Sequence, residues 1–403
     1  MEVGSELLPP RGRVASEGAG RLISVRTGVA CVLAAPCALL CVLLLPSSAE
    51  ALELGNADDP GAIELHGFAS QGFLLTFDND YLTDGTKHGS FELSEVGINF
   101  TSQPVDALRI GIQLFGQNLG ANGDFDAMVD WFYLDYRWQN WLGLRAGRLK
   151  IPYGLHNEVQ DIDAARMPIL LPQSVYPLQT RQILFAQTGA ELYGFARIGA
   201  LGALDYRVFA GTIFLDSESL TPVGAPFAIE LEVPYVVGGR VLWETPLAGL
   251  RVGGSLQAVR LDTTALIPGL PPVSIVGKTL LWVGSVEYAI ADLLLTAEYS
   301  RWDAEQSSDN AMLSPPIDEL SERLYAMASY RITTWLQLGA YYGLFFPDVE
   351  EREGRENQQH DLAATIRFDL NPHWLVKLEG HYMSGTAGLL NPLRIGEIDI
   401  STA

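Results

Sequence analysis

"HDLAATIRFDLNPHWLVKLEGHYMS", residues 360–384, holds two alternating runs joined by a connection short enough to be a hairpin turn. Before the turn, Leu362, Ala364, Ile366, Phe368 and Leu370 share one face, with Asp361, Thr365, Arg367 and Asp369 on the other. After "NPH", Val376, Leu378 and Tyr382 oppose Lys377, Glu379 and His381. A period of two marks a strand with one apolar face. Asn371 and Pro372 are turn formers. The same pattern sets Leu108, Ile110, Ile112 and Leu114 against Arg109, Gly111 and Gln113. It also sets Leu324, Ala326, Ala328, Tyr330 and Ile332 against Arg323, Ser329 and Arg331.

Carried along the chain, the pattern predicts fifteen strands, near 63–77, 90–101, 107–117, 128–138, 142–150, 185–198, 203–214, 235–245, 250–261, 278–289, 293–302, 322–332, 335–346, 360–370 and 374–384. The connections are more telling than the strands. After odd-numbered strands they are long: 78–89, 118–127, 151–184, 215–234, 262–277, 303–321 and 347–359. After even-numbered ones they are brief: "SQPVD", "QN", "GALGA", "TPLAG", "ADL", "TT" and "NPH". A sandwich has no reason to keep that order, whereas outer-membrane barrels have short periplasmic turns and long external loops. In such a barrel the apolar face meets lipid and the polar face lines a wet lumen. Alternation alone also fits a sandwich with its apolar face in the core.

Aromatics and charge point the same way. Trp138 and Trp141 bracket one short turn, and Trp335 and Trp374 follow two others, as in the aromatic belts at membrane interfaces. An Arg facing lipid at mid-depth costs roughly 2–4 kcal/mol, so the strand cations should look inward. The pore-lining candidates are therefore Arg109, Arg145, Lys150, Arg181, Arg207, Arg240, Arg251, Arg331, Arg367 and Lys377. Glu64, Asp135, Asp205, Glu244, Glu287 and Glu298 accompany them, which makes the expected lumen mixed in charge.

Composition bounds the function. A formal charge of −22 over 403 residues excludes a nucleic-acid binder that relies on bulk positive charge. Arg11, Arg13, Arg21 and Arg26 precede an apolar run from Gly28 to Pro46, and Ala49 and Ala51 then form a small-x-small cleavage pattern. Residues 1–51 read as a removable signal peptide. An uncleaved anchor is the alternative, because the run approaches the roughly 18–20 residues that span a bilayer. All three cysteines, Cys31, Cys37 and Cys41, lie in that leader, so the mature chain carries no thiol across an oxidising compartment. No catalytic constellation appears: the six histidines are scattered, none is at metal-ligand spacing, and no nucleophile-elbow or phosphate-loop motif occurs. His381 with Glu379 reads as a lumen-lining pair, and no cofactor or metal is expected.

One segment breaks the rhythm. "GRLKIPYGLHNEVQDIDAARMPILLPQSVYP", 147–177, leaves period two after Lys150 and meets Pro152, Pro168, Pro172 and Pro177. Loops this long are usually functional or disordered. Its opening, "LRAGRLKIPYGLHNE" at 144–158, resembles a junction of the phosphate-selective porin O/P family, with Gly147, Lys150, Pro152 and Gly154 at matching spacing. The resemblance implies a sixteen-stranded, homotrimeric, transmembrane antiparallel β-barrel in the outer membrane of a Gram-negative bacterium, in contact with lipid and lipopolysaccharide. It also implies that residues 151–182 fold back as a constriction loop, with "MPILLP" at 167–172 against the inner wall. The alternative is an external loop over the mouth or at a trimer contact. Glu158, Asp161, Asp163 and Arg166 are the constriction candidates. Only four lysines occur, so phosphate selectivity is not carried over.

Residues 52–403 thus read as a porin-type barrel whose final strand is incomplete. "LRIGEIDIS" near Ala403 alternates poorly, and an unclosed edge in lipid leaves backbone groups unsatisfied. The expected function is passive diffusion of small hydrophilic solutes or ions, not catalysis. The alternatives are a barrel enzyme or a secreted β-rich binding protein.

Overall fold

A computed structural model describes residues 29–33, 52–54 and 61–388, except 78–79, 84, 120–124 and 216–227. The leader cleavage residues Ala49 and Ala51, and the tail strand expected at "LRIGEIDIS", lie outside the described residues. The strands are β1 (Val29–Leu33), β2 (Leu52–Leu54), β3 (Ile63–Gln71), β4 (Leu74–Leu75), β5 (Ser94–Val105) and β6 (Leu108–Asn118). Next come β7 (Met128–Gln139), β8 (Leu142–Lys150), β9 (Ala186–Arg197), β10 (Ala203–Thr212), β11 (Ala228–Glu244) and β12 (Leu250–Leu266). The last are β13 (Val273–Ile290), β14 (Leu293–Ser308), β15 (Ile317–Arg331), β16 (Leu336–Phe346), β17 (Gln359–Asp369) and β18 (Leu375–Gly385).

All of them join one antiparallel sheet in which each strand from β5 to β18 pairs with its neighbour in sequence. Counting β3 and β4 as one stave, the wall has the fifteen strands that the alternation predicts. β1 closes the ring: it pairs with β18 from Val29↔Tyr382 to Leu33↔Leu378, and with β4 through Cys31 and Val32. β2 adds a short pairing with β3, Leu52↔Leu65 to Leu54↔Ile63. The closing seat is therefore occupied from the N-terminal side of the chain, mainly from within the segment that reads as a leader.

Closure decides between sandwich and barrel. Large apolar side chains lie exposed on the outer surface, among them Ile112, Leu114, Leu134, Val208, Val241, Leu256, Leu280 and Leu362. Their strand neighbours Gln113, Asp135, Arg240, Ser255, Gln257 and Asp361 point inward and are buried. Apolar outside and polar inside is the arrangement for lipid, because a soluble domain does not leave so continuous an apolar band in water. Trp138, Trp141, Trp335 and Trp374 are exposed beside the short turns, where an indole can rest its body in hydrocarbon and its N–H in water.

The structure differs from the sequence reading in two ways. The strands β11 to β15 continue several residues past the predicted limits, always on the side of the long connections, so the predicted connection 262–277 shrinks to a link of 267–272. The extensions of β11, β12 and β13 carry Ile229, Val233, Thr263, Thr264, Val273, Ile275 and Val276, which a pleated ladder accommodates well once a neighbour is paired. The polar extension of β14 is held instead by its pairing with β13 and β15. Second, the lumen is not uniformly polar. Phe209, Val236, Val259, Leu281, Val283, Tyr325, Met327 and Tyr341 face inward and pack into a buried cluster with Ile151, Tyr153, Leu171, Val175, Tyr176 and Leu184. Those last six belong to the segment between β8 and β9. Inward apolar residues lose their penalty when a loop covers them.

Candidate functional site

The segment from 151 to 184 lies inside the barrel. Its two ends are tied together: Asn157 Nδ2 donates to the carbonyls of Ile151 (2.8 Å) and Leu184 (2.7 Å), and Ile151 N–H donates to Phe185. Lys150 turns back from the end of β8 to Asp161 (2.6 Å) and to the Glu158 carbonyl (2.9 Å). Gly154 has a left-handed φ of 58°, and a Cβ there would stand 2.3 Å from the Tyr176 hydroxyl. The Gly-x-x-Lys-x-Pro-x-Gly spacing at 147–154 thus has a physical meaning: it reverses the chain into the lumen at a point with no room for a side chain.

Beyond that turn, the loop is fastened to three parts of the wall. The first centres on Glu298 of β14, which is 2% exposed. Its carboxylate accepts from Leu155 N–H (3.0 Å), from Tyr325 OH (2.8 Å), and from the hydroxyls of Tyr176 and Ser285. Nearby, Tyr153 OH meets Ser300 Oγ (2.7 Å) and Trp302 Nε1 (2.9 Å). The second is the Glu158 carboxylate, held by Arg207 of β10 and by Arg240 of β11 at 2.8 Å. The third lies on β17 and β18. Glu379 accepts from the backbone N–H groups of Ile169 (2.8 Å) and Leu170 (2.9 Å) and from Thr365. Lys377 reaches Asp163 at 2.9 Å and donates to the Arg166 carbonyl at 2.8 Å, while Arg367 donates to Ala164.

"MPILLP" follows the wall. Ile169 and Leu170 pack with Leu74, Tyr81, Leu82 and Leu119, and Met167 comes within van der Waals distance of the Gly339 position. His381 sits between Asp361 (2.9 Å) and Glu379 (3.0 Å), with Tyr341 OH on Asp361. His381 is 1% exposed and Glu379 is occupied by the loop backbone, so this group positions the loop and offers no route for a substrate.

The sequence-predicted residues divide accordingly. Arg240 and Lys377, expected on the conducting path, are buried and spend their donors on the loop. Arg181 stacks on Phe185, its guanidinium carbon 3.9 Å from the ring centroid, and faces Asp130. Arg331 pairs with Asp369 near a short turn, and Arg251 pairs with Glu287. Arg166 lies 3.7 Å from both Glu95 and Asp163. Arg109, Arg145, Lys150 and Arg207 converge on a cavity of about 440 Å³ on the short-turn side of the loop, joined by Arg148 and faced by Asp135, Glu158 and Glu191. Arg145 bridges Asp135 (2.9 Å) and Glu191 (3.2 Å), while Arg109 has no ion pair among the described residues. Inward parity alone marks Glu298 and Glu379, but only the fold shows that loop donors converge on them. Among the described residues, no group of three or more His, Cys, Asp and Glu side chains is placed to hold a metal ion.

An imidazole and a carboxyl of the loop carry shifted protonation that bears on its docking. Burial, aided by the Arg251 and Arg166 charges, pushes the His156 imidazole down to about 4, and its buried Nε2 has no hydrogen-bond partner among the described residues. Burial raises the Glu158 carboxyl, but the Arg207 and Arg240 guanidiniums outweigh it and hold the group below its ordinary value. Undocked, His156 would titrate near 6.5. A lowered folded pKa means that the docked loop binds fewer protons, so its stability is complete above about pH 6.5 and falls as pH drops toward 4. Glu158 adds a loss in the same direction below its ordinary range. We expect amide exchange at Leu155 and His156, corrected for intrinsic rate, to lose protection between pH 7 and 4.5. His156→Phe should flatten that loss, and protection that does not vary with pH would show the imidazole to be irrelevant.

No protein-family model matches this chain, and no curated protein matches it. Solved structures do. OmpF of Salmonella typhi, in complex with daunomycin, is similar with a TM-score of 0.50 at 12% identity, over 82% of this chain and all of that one. OmpT of Vibrio cholerae gives 0.46 at 12% identity over 83% and 99%, and an anion-selective porin from Comamonas acidovorans gives 0.42 at 12% over 81% and 97%. The likeness to OmpF, taken with the closed antiparallel sheet, establishes the fold as an outer-membrane type of β-barrel.

Proposed function

We propose that the chain is a channel of the general porin type in the outer membrane of a Gram-negative bacterium, passing small hydrophilic solutes or ions by diffusion. The observation that carries this is the internal loop. A strand ring with an apolar exterior encloses a charged cavity, and the loop from 151 to 184 narrows the way through it. Radius and fixed charge are the two levers by which such a pore selects. A phosphate-specific role has little support, because Lys150 and Lys377 are both committed to loop carboxylates. The homotrimer rests on the resemblance alone, and a heat-sensitive trimer band on a gel would test it. Removal of residues 1–51 would give a mature chain that starts at Leu52, which its intact mass would show. That removal also vacates the seat of β1.

The test is current. Purified protein in planar bilayers should give stepwise, ohmic conductance, and a protein that inserts without steps would end the channel reading. Replacing Arg109, Arg145 and Arg251 by Ser should then raise cation preference. The change removes three inward charges, takes the ion-pair partners from Asp135 and Glu287, and leaves Glu191 with Arg207 alone. Fixed charge acts over about 8–10 Å in physiological salt, so the shift in reversal potential should shrink in molar salt. A reversal potential equal to the parent's would remove these side chains from the conducting path.

A further inference from the structure

We propose that the lumen contains a second, apolar binding site on the long-connection side of the loop, which takes a small monocarboxylate with an apolar body and holds its carboxylate on Arg323. The proposal rests on the channel reading only for the route by which the solute arrives. It starts from an imbalance. The buried cations Arg240 and Lys377 and the half-buried Lys150 each meet a loop carboxylate, respectively Glu158, Asp163 and Asp161. Arg323, 9% exposed, meets none among the described residues. Its Nε donates to Ser321 Oγ (3.1 Å) and its Nη1 to the Ser174 carbonyl (3.1 Å), both neutral acceptors. Its guanidinium carbon lies 3.6 Å from the Trp302 ring centroid and 4.3 Å from that of Phe345. A buried cation without a counterion is costly, and an anion with planar oxygens is its natural complement.

The space beside it fixes the rest of the ligand. A cleft of about 230 Å³ opens next to Arg323, walled by Ile183, Leu184, Val259, Leu261 and Leu281. An apolar cavity of about 150 Å³ accepts benzene, so this one has room for a substituted single ring or a branched chain of similar bulk. Small hydrated anions gain nothing there, because the walls offer few polar partners for the water they would lose. Glu319 lines the same cleft and is exposed. A second negative charge on the ligand would be repelled there, which selects monocarboxylates over dicarboxylates. Anchoring the loop through Ser174 explains one N–H of Arg323, but not the two stacked rings or the unpaired charge.

The experiment is calorimetric titration of the full chain in nanodiscs with phenylacetate, acetate and benzyl alcohol, with blank nanodiscs subtracted. Phenylacetate should bind at least tenfold more tightly than either comparison molecule. Arg323→Gln should weaken phenylacetate about 10- to 100-fold, the range for hydrogen bonds to a charged group, while leaving benzyl alcohol unchanged. Leu261→Trp should block phenylacetate with Arg323 still present, and it keeps the test decisive if the glutamine variant misfolds. Acetate binding as well as phenylacetate, an unaltered Arg323→Gln titration, or no binding by the parent would each overturn the site. A chain that binds phenylacetate but passes no current would overturn the channel reading and leave this one standing.

Discussion

Deleting residues 158–176 and joining 157 to 177 through two glycines should raise single-channel conductance about threefold or more, since pore cross-section controls flow. The His156 backbone N–H donates to the Tyr176 hydroxyl at 3.0 Å. The two backbones therefore lie within one tyrosine side chain and a hydrogen bond of each other, a gap of roughly 10 Å that two glycines can span. The wall should survive, because its strand pairings from β5 to β18 do not involve the loop. Removing Glu158, Asp161 and Asp163 strips partners from Arg207, Arg240, Lys150 and Lys377, but the same deletion floods their surroundings with water. Those charges then hydrate instead of remaining buried and unpaired. Unchanged conductance in protein that inserts normally would mean that the loop does not limit the path.

Glu298→Ala should loosen the loop without opening the barrel. The carboxylate is the common acceptor for Leu155 N–H, Tyr176, Tyr325 and Ser285. Leu155 N–H keeps the Tyr176 hydroxyl at 2.9 Å, so the three hydroxyls are the donors left without an acceptor. At about 1–3 kcal/mol each, the summed loss is on the order of 3 kcal/mol or more if they stay in place. The cheaper course is for the loop to leave its seat and hydrate them. We expect exchange protection from 153 to 177 to collapse and open-channel current to become noisy, with the heat-modifiable barrel band unaltered. Glu298→Gln keeps one acceptor oxygen and should show a much smaller effect. Equal protection in parent and alanine variant would remove Glu298 from its central place.

The sequence revealed the wall and concealed the interior, for a physical reason. Strand alternation is a local property: Leu362 and Asp361 report their opposite faces without reference to anything distant. The switch between long and short connections is likewise written in Gly, Pro and Asn spacing. What Arg240, Lys377 and Glu379 do depends on where residues 151–184 travel after Pro152, across strands far away in the chain. Inward parity marked the first two as pore-lining, and it was sound as far as it went, because both do face inward. It could not tell a side chain bathed in solvent from one covered by the loop. Val259, Leu281 and Trp302 were harder still. Apolar residues at inward positions contradict the pattern of a polar lumen, and they make sense only once a loop and a largely apolar cleft are there to receive them.

The lengthened strands have a consequence for approach. β11 to β15 run 15 to 18 residues, while β6 to β10 and β16 to β18 run 9 to 12. About 9–11 residues cross a bilayer, so the longer group has several residues to spare at roughly 3.3 Å each. Paired strand to strand, that surplus extends the wall by up to about 20 Å along the strand direction on one arc of the rim. In the channel we propose, a solute arriving over that arc would meet the paired strands before it meets the radius or charge of the pore.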